Sequence, residues 1–324
     1  MRASRRLGVA GIATAVLGLS IGSTVVKSSG LPGPVAAFWR LFFGAIAWHV
    51  IIFVTGRRNG GPTRLTKEAW LLAFLPGFAF GINLSFFFTA VTMTSIAHSE
   101  FIGALTPLVV VPIARRRLRE RVPRSNLNLA GLAFVGISLV IFTGSSQTSA
   151  PPSLKGDLLG LGSICTWTYY LLKSRVARDK ISTMQFMAGM TTVAAVTIIP
   201  IAIWRAGGVA NVTHVSAKGW VMVVIMTVTS GLVSHGLVAW AQKSVPISTI
   251  SIMQVAQPGI ATFWAWLILH QGITFTQVIG MIVVMGAIAA VAWMSATQSS
   301  PATDPALRPP EHGENRIGND SGRK

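Results

Sequence analysis

The stretch SIAHSEFIGALTPLVVVPIARRRLRE, residues 95–120, decides how this chain is read. With Pro107 laid on Pro258, it falls in register on PISTISIMQVAQPGIATFWAWLILHQ, residues 246–271. Both stretches begin after a very short turn, stay largely apolar for the length of a helix and carry a proline midway. Gly131, opening the next segment, matches Gly280 after a shift of two residues. VVKSSG (25–30) and LLKSRV (171–176) form a second matching pair. Similar pieces recurring in the same order half a chain apart point to a duplicated architecture.

Composition says where such a duplicate must live. The chain has 324 residues, 51% of them hydrophobic and only 11% charged, with mean hydropathy +0.60. A soluble domain carries about 25% charged residues, so the sequence reads as an integral membrane protein. Ten apolar segments can be cut out: 7–26, 34–54, 69–91, 95–114, 126–143, 156–173, 183–204, 217–240, 246–269 and 274–294. Each is close to the roughly 17–25 residues that a spanning helix needs. The first could mimic a signal peptide, but it runs to about Val26 without a small-x-small site and reads as an uncleaved helix. From Ser295 onward the chain is rich in Pro, Ser, Asp, Glu and Gly, and a disordered tail is expected.

The basic residues test this count. With the N-terminus placed in the cytoplasm, 22 of the 27 Lys and Arg fall on inner ends and connections. Only Lys27, Lys155, Arg205 and Lys218 fall outside, and Arg40 lies within a span. That asymmetry supports ten spans with both ends inside. The net charge of +18 is thereby assigned to contact with anionic membrane lipid, and no nucleic-acid partner is expected. The single cysteine, Cys165, permits neither an intrachain disulfide nor a CxxC metal site.

Five spans per half is an odd number, so the two halves insert with opposite orientation. The expected fold is all-α: an integral membrane protein of ten transmembrane helices arranged as two inverted five-helix repeats, residues 1–145 and 146–294. Residues 295–324 would form a cytoplasmic tail. Inverted repeats with a site near the midplane are a common plan of secondary transporters.

The Lys27 end of the first helix, AAFWRLFFGA (36–45) and the short-turn helix pair with its mid-helix proline resemble the drug/metabolite transporter superfamily, most closely its EamA group. The resemblance covers roughly residues 7–294. It implies a carrier of amino acids, other small metabolites or toxic compounds, often outward and in many members coupled to protons. That family often has Glu after helices 4 and 9. Here Glu120 fills the first place and His270-Gln271 the second, so Glu120 is read as structural.

Of the nine acids, only Glu100 lies inside a span, about 8 Å below its outer end. A charge at the bilayer centre costs about 2.5–3.5 kcal/mol and somewhat less at this depth, so Glu100 must face protein or a water-filled cavity. Arg40 lies at similar depth. Two readings stay open: a fixed Arg40–Glu100 ion pair between helices 2 and 4, or groups that bind cargo or exchange a proton. Further polar residues sit at middle depth as repeat mates, Asn83 with Ser234 and Thr106 with Gln257. Gln254 shares a helix face with Gln257, and His235 follows Ser234. Together Glu100, Arg40, Asn83, Thr106, His235, Gln254 and Gln257 are candidates to line one central cavity. Trp39, Trp167, Tyr169 and Tyr170 are candidates for its aromatic wall, with Tyr169 foremost. Pro107 and Pro258 lack the amide that closes a helical hydrogen bond and are expected to break their helices.

The sequence contains no Walker A, HExxH or GxSxG pattern, so no enzyme, cofactor or metal site is expected. The expected function is a secondary transporter of small metabolites by alternating access, with a small-molecule substrate. An exporter of amino acids or related compounds, with proton coupling, leads. The alternatives are a multidrug exporter or a non-transporting receptor or assembly subunit. The expected location is the plasma membrane, with both termini cytoplasmic; a homodimer is compatible with the sequence.

Overall fold

The computed structural model describes residues 2–94, 96–142, 153–269 and 273–297, and all regular structure among them is helical. The chain beyond residue 297 and the His270-Gln271 pair lie outside this range. Helices α1 (Arg2–Ser29), α2 (Gly33–Asn59) and α3 (Lys67–Met93) are continuous. The next rod is broken into α4 (Ile96–Ala104) and α5 (Thr106–Arg117), followed by α6 (Arg124–Phe142). Then come α7 (Leu154–Lys180), α8 (Thr183–Ala206) and the short α9 (Val209–Thr213). A long rod follows as α10 (Ala217–Met226), a π-helical stretch Thr227–Ser234 and α11 (His235–Ala241). The last rods are α12 (Ile247–Met253), a 3-10 turn Gln254–Ala256, α13 (Gln257–Leu269) and finally α14 (Phe275–Thr297).

Local chemistry sets these boundaries. Side-chain oxygens of Thr66, Ser153, Ser182 and Ser216 accept from the amides of Ala69, Gly156, Gln185 and Gly219, capping α3, α7, α8 and α10. Gly60 and Gly207 end α2 and α8 at φ of 66° and 74°, a conformation that disfavours any residue with a Cβ. Helix α7 overshoots the apolar segment 156–173 at its C-terminal end because its last turns are polar helix formers anchored by Arg178. That guanidinium is 1% exposed and donates to the carbonyls of Ala239 (3.0 Å from Nε) and Ile181 and to the Thr183 hydroxyl at 2.6 Å.

Six helices among the described residues are long and apolar enough to cross a membrane. They are α1 from Ser4, α2, α3, α8, the rod Ala217–Ala241 and α14 to Ala296. Large apolar side chains on these rods, such as Phe74 at 56% and Ile282 at 67% exposed, form an outer face suited to lipid. Small residues set the packing. A Cβ on Gly77 or Gly81 would come within 2.8 Å of the Met190 or Ala194 carbonyl, so α3 and α8 meet backbone to backbone. Gly136 of α6 approaches the Gly280 carbonyl of α14 as closely. Helix α2 packs on α8, α3 on α7, and α1 on the π-helical rod and α13.

Candidate functional site

Both mid-helix prolines stand next to a break. Between α4 and α5, the Leu105 amide bonds the Ile102 carbonyl and the Leu108 amide bonds that of Leu105, tight i to i−3 turns. Pro107 sits one residue inside α5. Pro258 sits one residue inside α13, just after the 3-10 turn of Gln254–Ala256. A proline near a helix start needs no amide partner, so each break costs little at its C-terminal side. Both breaks face the same interior space.

That space is a cavity of about 110 Å³ walled by both halves of the chain. Glu100 of α4, Arg40 of α2, Asn83 of α3, Thr106 of α5, His235 of α11, Gln254, and Gln257 with Pro258 of α13 all line it. Pro107 is buried but is not among the lining residues. Leu84, Phe87 and Phe88 of α3, and Trp167 of α7, supply apolar and aromatic wall. Leu19 and Gly22 of α1, with Ser163 and Ser230, were not singled out from sequence.

Tyr169 does not belong to the wall. It is 41% exposed on the outside of α7, with the Lys173 ammonium 5.5 Å from its ring centroid. At about 100° per residue, Trp167 and Tyr170 share a face of α7 and Tyr169 points away from it. Tyr170 is fully buried behind the wall, its ring 4.9 Å from Trp167 and 5.0 Å from Phe80. Trp39 is also elsewhere: its Nε1 donates to the Val212 carbonyl at 2.8 Å, and it lines a separate apolar cleft of about 210 Å³ between α2, α8 and α9.

The polar groups divide into committed and uncommitted ones. Asn83 Nδ2 donates to the Ser163 carbonyl at 2.8 Å, and Gln254 Oε1 accepts from Trp167 Nε1 at 3.4 Å. The Thr106 hydroxyl donates back to Gly103 at 2.5 Å. Ser234, the repeat mate of Asn83, is turned away; its hydroxyl donates to the Thr229 carbonyl at 2.9 Å inside the π-helical stretch. Glu100 and Arg40 are 4% and 3% exposed, and no ion pair within 4.0 Å joins them. The fixed salt bridge between helices 2 and 4 is therefore not formed. Glu100 instead faces Ser23, whose hydroxyl lies outside hydrogen-bonding geometry with any partner. Arg40 lies over the Phe88 ring at 5.7 Å and beside Gly231 of the π-helical stretch. His235 packs edge-on to Phe80 and Trp167 at 4.8 Å and 5.7 Å.

Glu120 plays a different part. Its carboxylate accepts from the Ile247 amide (2.8 Å), the Ser248 amide (2.9 Å) and the Ser248 hydroxyl (2.6 Å), capping α12. This is the structural role expected of it, and it ties the end of α5 to the start of the rod that repeats it.

Apolar rods around a cavity that holds a few buried polar groups, with paired helix breaks, fit a multi-pass membrane transporter. The EamA-like transporter family profile matches residues 6–142 and 154–293, and the chain belongs to that family. It is 25% identical over 187 residues to the uncharacterized transporter YyaM of Bacillus subtilis (strain 168), a match spanning 53% of this chain and 61% of that protein. It is 20% identical over 280 residues to the uncharacterized transporter YetK of the same organism, covering 85% of this chain and 83% of that one. A solved structure titled only as a crystal structure of a protein superposes with a TM-score of 0.72 at 17% identity, covering 90% of this chain and 99% of that chain. That last likeness concerns the fold alone.

Proposed function

We propose that this chain is a secondary transporter that carries small metabolites across the plasma membrane by alternating access, exporting amino acids or related compounds with proton coupling through Glu100. The observation that carries this reading is the central cavity, in which one buried acid and one buried base face the same space without pairing. Cargo bearing both charges would satisfy both. At roughly 10–15 Å³ per water-sized probe sphere, the volume suits a molecule of about ten heavy atoms. That size favours a metabolite over the bulky cargo of a multidrug exporter.

Ten crossings in two inverted halves fit the packing, and the asymmetry of basic residues supports both termini in the cytoplasm. Helices α2 and α8 are repeat mates and pack on each other, as do α6 and α14. Helix α1 lies against the rod 217–241 as α7 lies against α3, the exchange that a two-fold axis in the membrane plane produces. The test is flux by the purified protein alone in proteoliposomes. Uptake of amino acids driven by a pH gradient supports the reading, and competition by lipophilic cations but not amino acids would favour drug export. Absence of flux for every compound that binds would leave a receptor or assembly subunit.

A further inference from the structure

One end of the cavity carries an unsatisfied cation. Arg40 is 3% exposed, its Nε has no hydrogen-bond partner, and its guanidinium forms neither a hydrogen bond nor an ion pair with any described residue. The Phe88 ring, 5.7 Å away, offers it only a weak electrostatic partner. His235, also lining the cavity, is 5% exposed and its Nδ1 is unpartnered. The Tyr170 hydroxyl behind them is fully buried and likewise unpartnered. Gly231 of the π-helical stretch packs beside Arg40; a Cβ there would stand 3.5 Å from the Arg40 Nε, an ordinary contact. A chain seldom buries a guanidinium with no acceptor, because a lone buried charge is expensive. The fork of N–H groups matches a planar oxyanion, and the imidazole of His235, lining the same cavity, supplies a ring N–H.

We propose that Arg40 and His235 form an anion seat that takes the carboxylate of the cargo, so the protein binds small carboxylate-bearing molecules and rejects the same molecules once that carboxylate is amidated. The seat rests on the transporter reading and fixes the cargo's orientation within it. The carboxylate lies at Arg40, and the cargo's other end faces Glu100 and Ser23. Glu100 does not fill the seat here: it stands beyond ion-pair distance of Arg40.

The test is thermal stabilisation of the full-length protein in detergent by the twenty common L-amino acids, acetate and lactate. Each amino acid is compared with its α-carboxamide, and inorganic phosphate serves as a non-carboxylate oxyanion. At least one carboxylate is expected to raise the melting temperature, with its amide at least a hundredfold weaker. Arg40→Lys should weaken that binding at least tenfold and His235→Gln severalfold. Equal binding of acid and amide, no binding by any carboxylate, or stronger stabilisation by phosphate than by every carboxylate overturns the seat. If Arg40→Lys does not fold, the acid–amide comparison on the unaltered protein decides alone. Selective carboxylate binding without flux in proteoliposomes would keep the seat and remove the transporter reading. Flux that carboxylates do not inhibit would keep the transporter and remove the seat.

Discussion

At the scale of single residues, two glutamates separated by one rod do opposite work. Glu120 is committed: three donors at the start of α12 converge on its carboxylate. Glu120→Ala should destabilise the protein by about 1–2 kcal/mol, the usual value of a lost cap. Glu120→Gln keeps one acceptor oxygen and should lose about half as much; thermal melts in detergent measure both, and an unaltered melt for Glu120→Ala refutes the cap. Glu100 is uncommitted, so Glu100→Gln should melt close to the parent protein yet lose the response of flux to a pH gradient in proteoliposomes. Proton-driven flux that persists in that variant would take Glu100 out of the coupling role. Glu100 and Arg40 could be found from sequence because a census of charges inside apolar segments leaves only these two. Their failure to pair could not, since segment depth fixes height in the membrane and not rotation about the helix axis. Tyr169 shows the same limit: proximity to Trp167 in sequence placed it on the wrong face. Arg178 escaped notice because it lies just past an apolar segment, where a buried guanidinium and a solvated one look alike.

At the scale of elements, the apolar segments and the two proline breaks were readable because each has a local cause in composition or in a missing amide. The π-helical stretch Thr227–Ser234 had no such mark. It packs on α1, where Gly18 lies against Ser234, a contact that only the tertiary structure reveals. The close helix pairs make a sharper prediction. A Cβ on Gly136 would sit 2.8 Å from the Gly280 carbonyl and from Val284 Cγ2. Gly136→Ala should therefore force α6 off α14 and cost about 1–3 kcal/mol, as overpacking does. Gly286→Ala, on the open face of the same α14 with nothing within 4 Å of the new atom, should leave the melting temperature unchanged or slightly raised. Equal losses for the two would mean that helix propensity, and not the α6–α14 contact, sets the response.

At the scale of the whole molecule, alternating access requires some contact between the halves to break in every cycle. The Glu120–Ser248 contact is the clearest candidate among the described residues. It joins the end of α5 to the start of α12, which the proposed topology puts on the cytoplasmic side. The mate of Glu120 in the second half is Gln271, so the outer counterpart of this contact cannot carry a carboxylate in the same place. Under the proposed alternating access, the charge-assisted bonds at Glu120 should bias the resting protein toward an inward-closed state. Joining the two positions covalently tests this. In a Cys165→Ser background, which removes the exposed native thiol, Glu120→Cys combined with Ser248→Cys is treated with a short bifunctional methanethiosulfonate. Flux in proteoliposomes should fall by at least tenfold and return on reduction, whereas either single cysteine treated alike should transport normally. Cross-linked protein that still binds a carboxylate cargo added from outside, but does not carry it through, would locate the block at the inner closure. Undiminished flux through fully cross-linked protein would mean that the halves do not part at this contact, and the cytoplasmic opening must then lie along another seam, with the broken rods moving as one body.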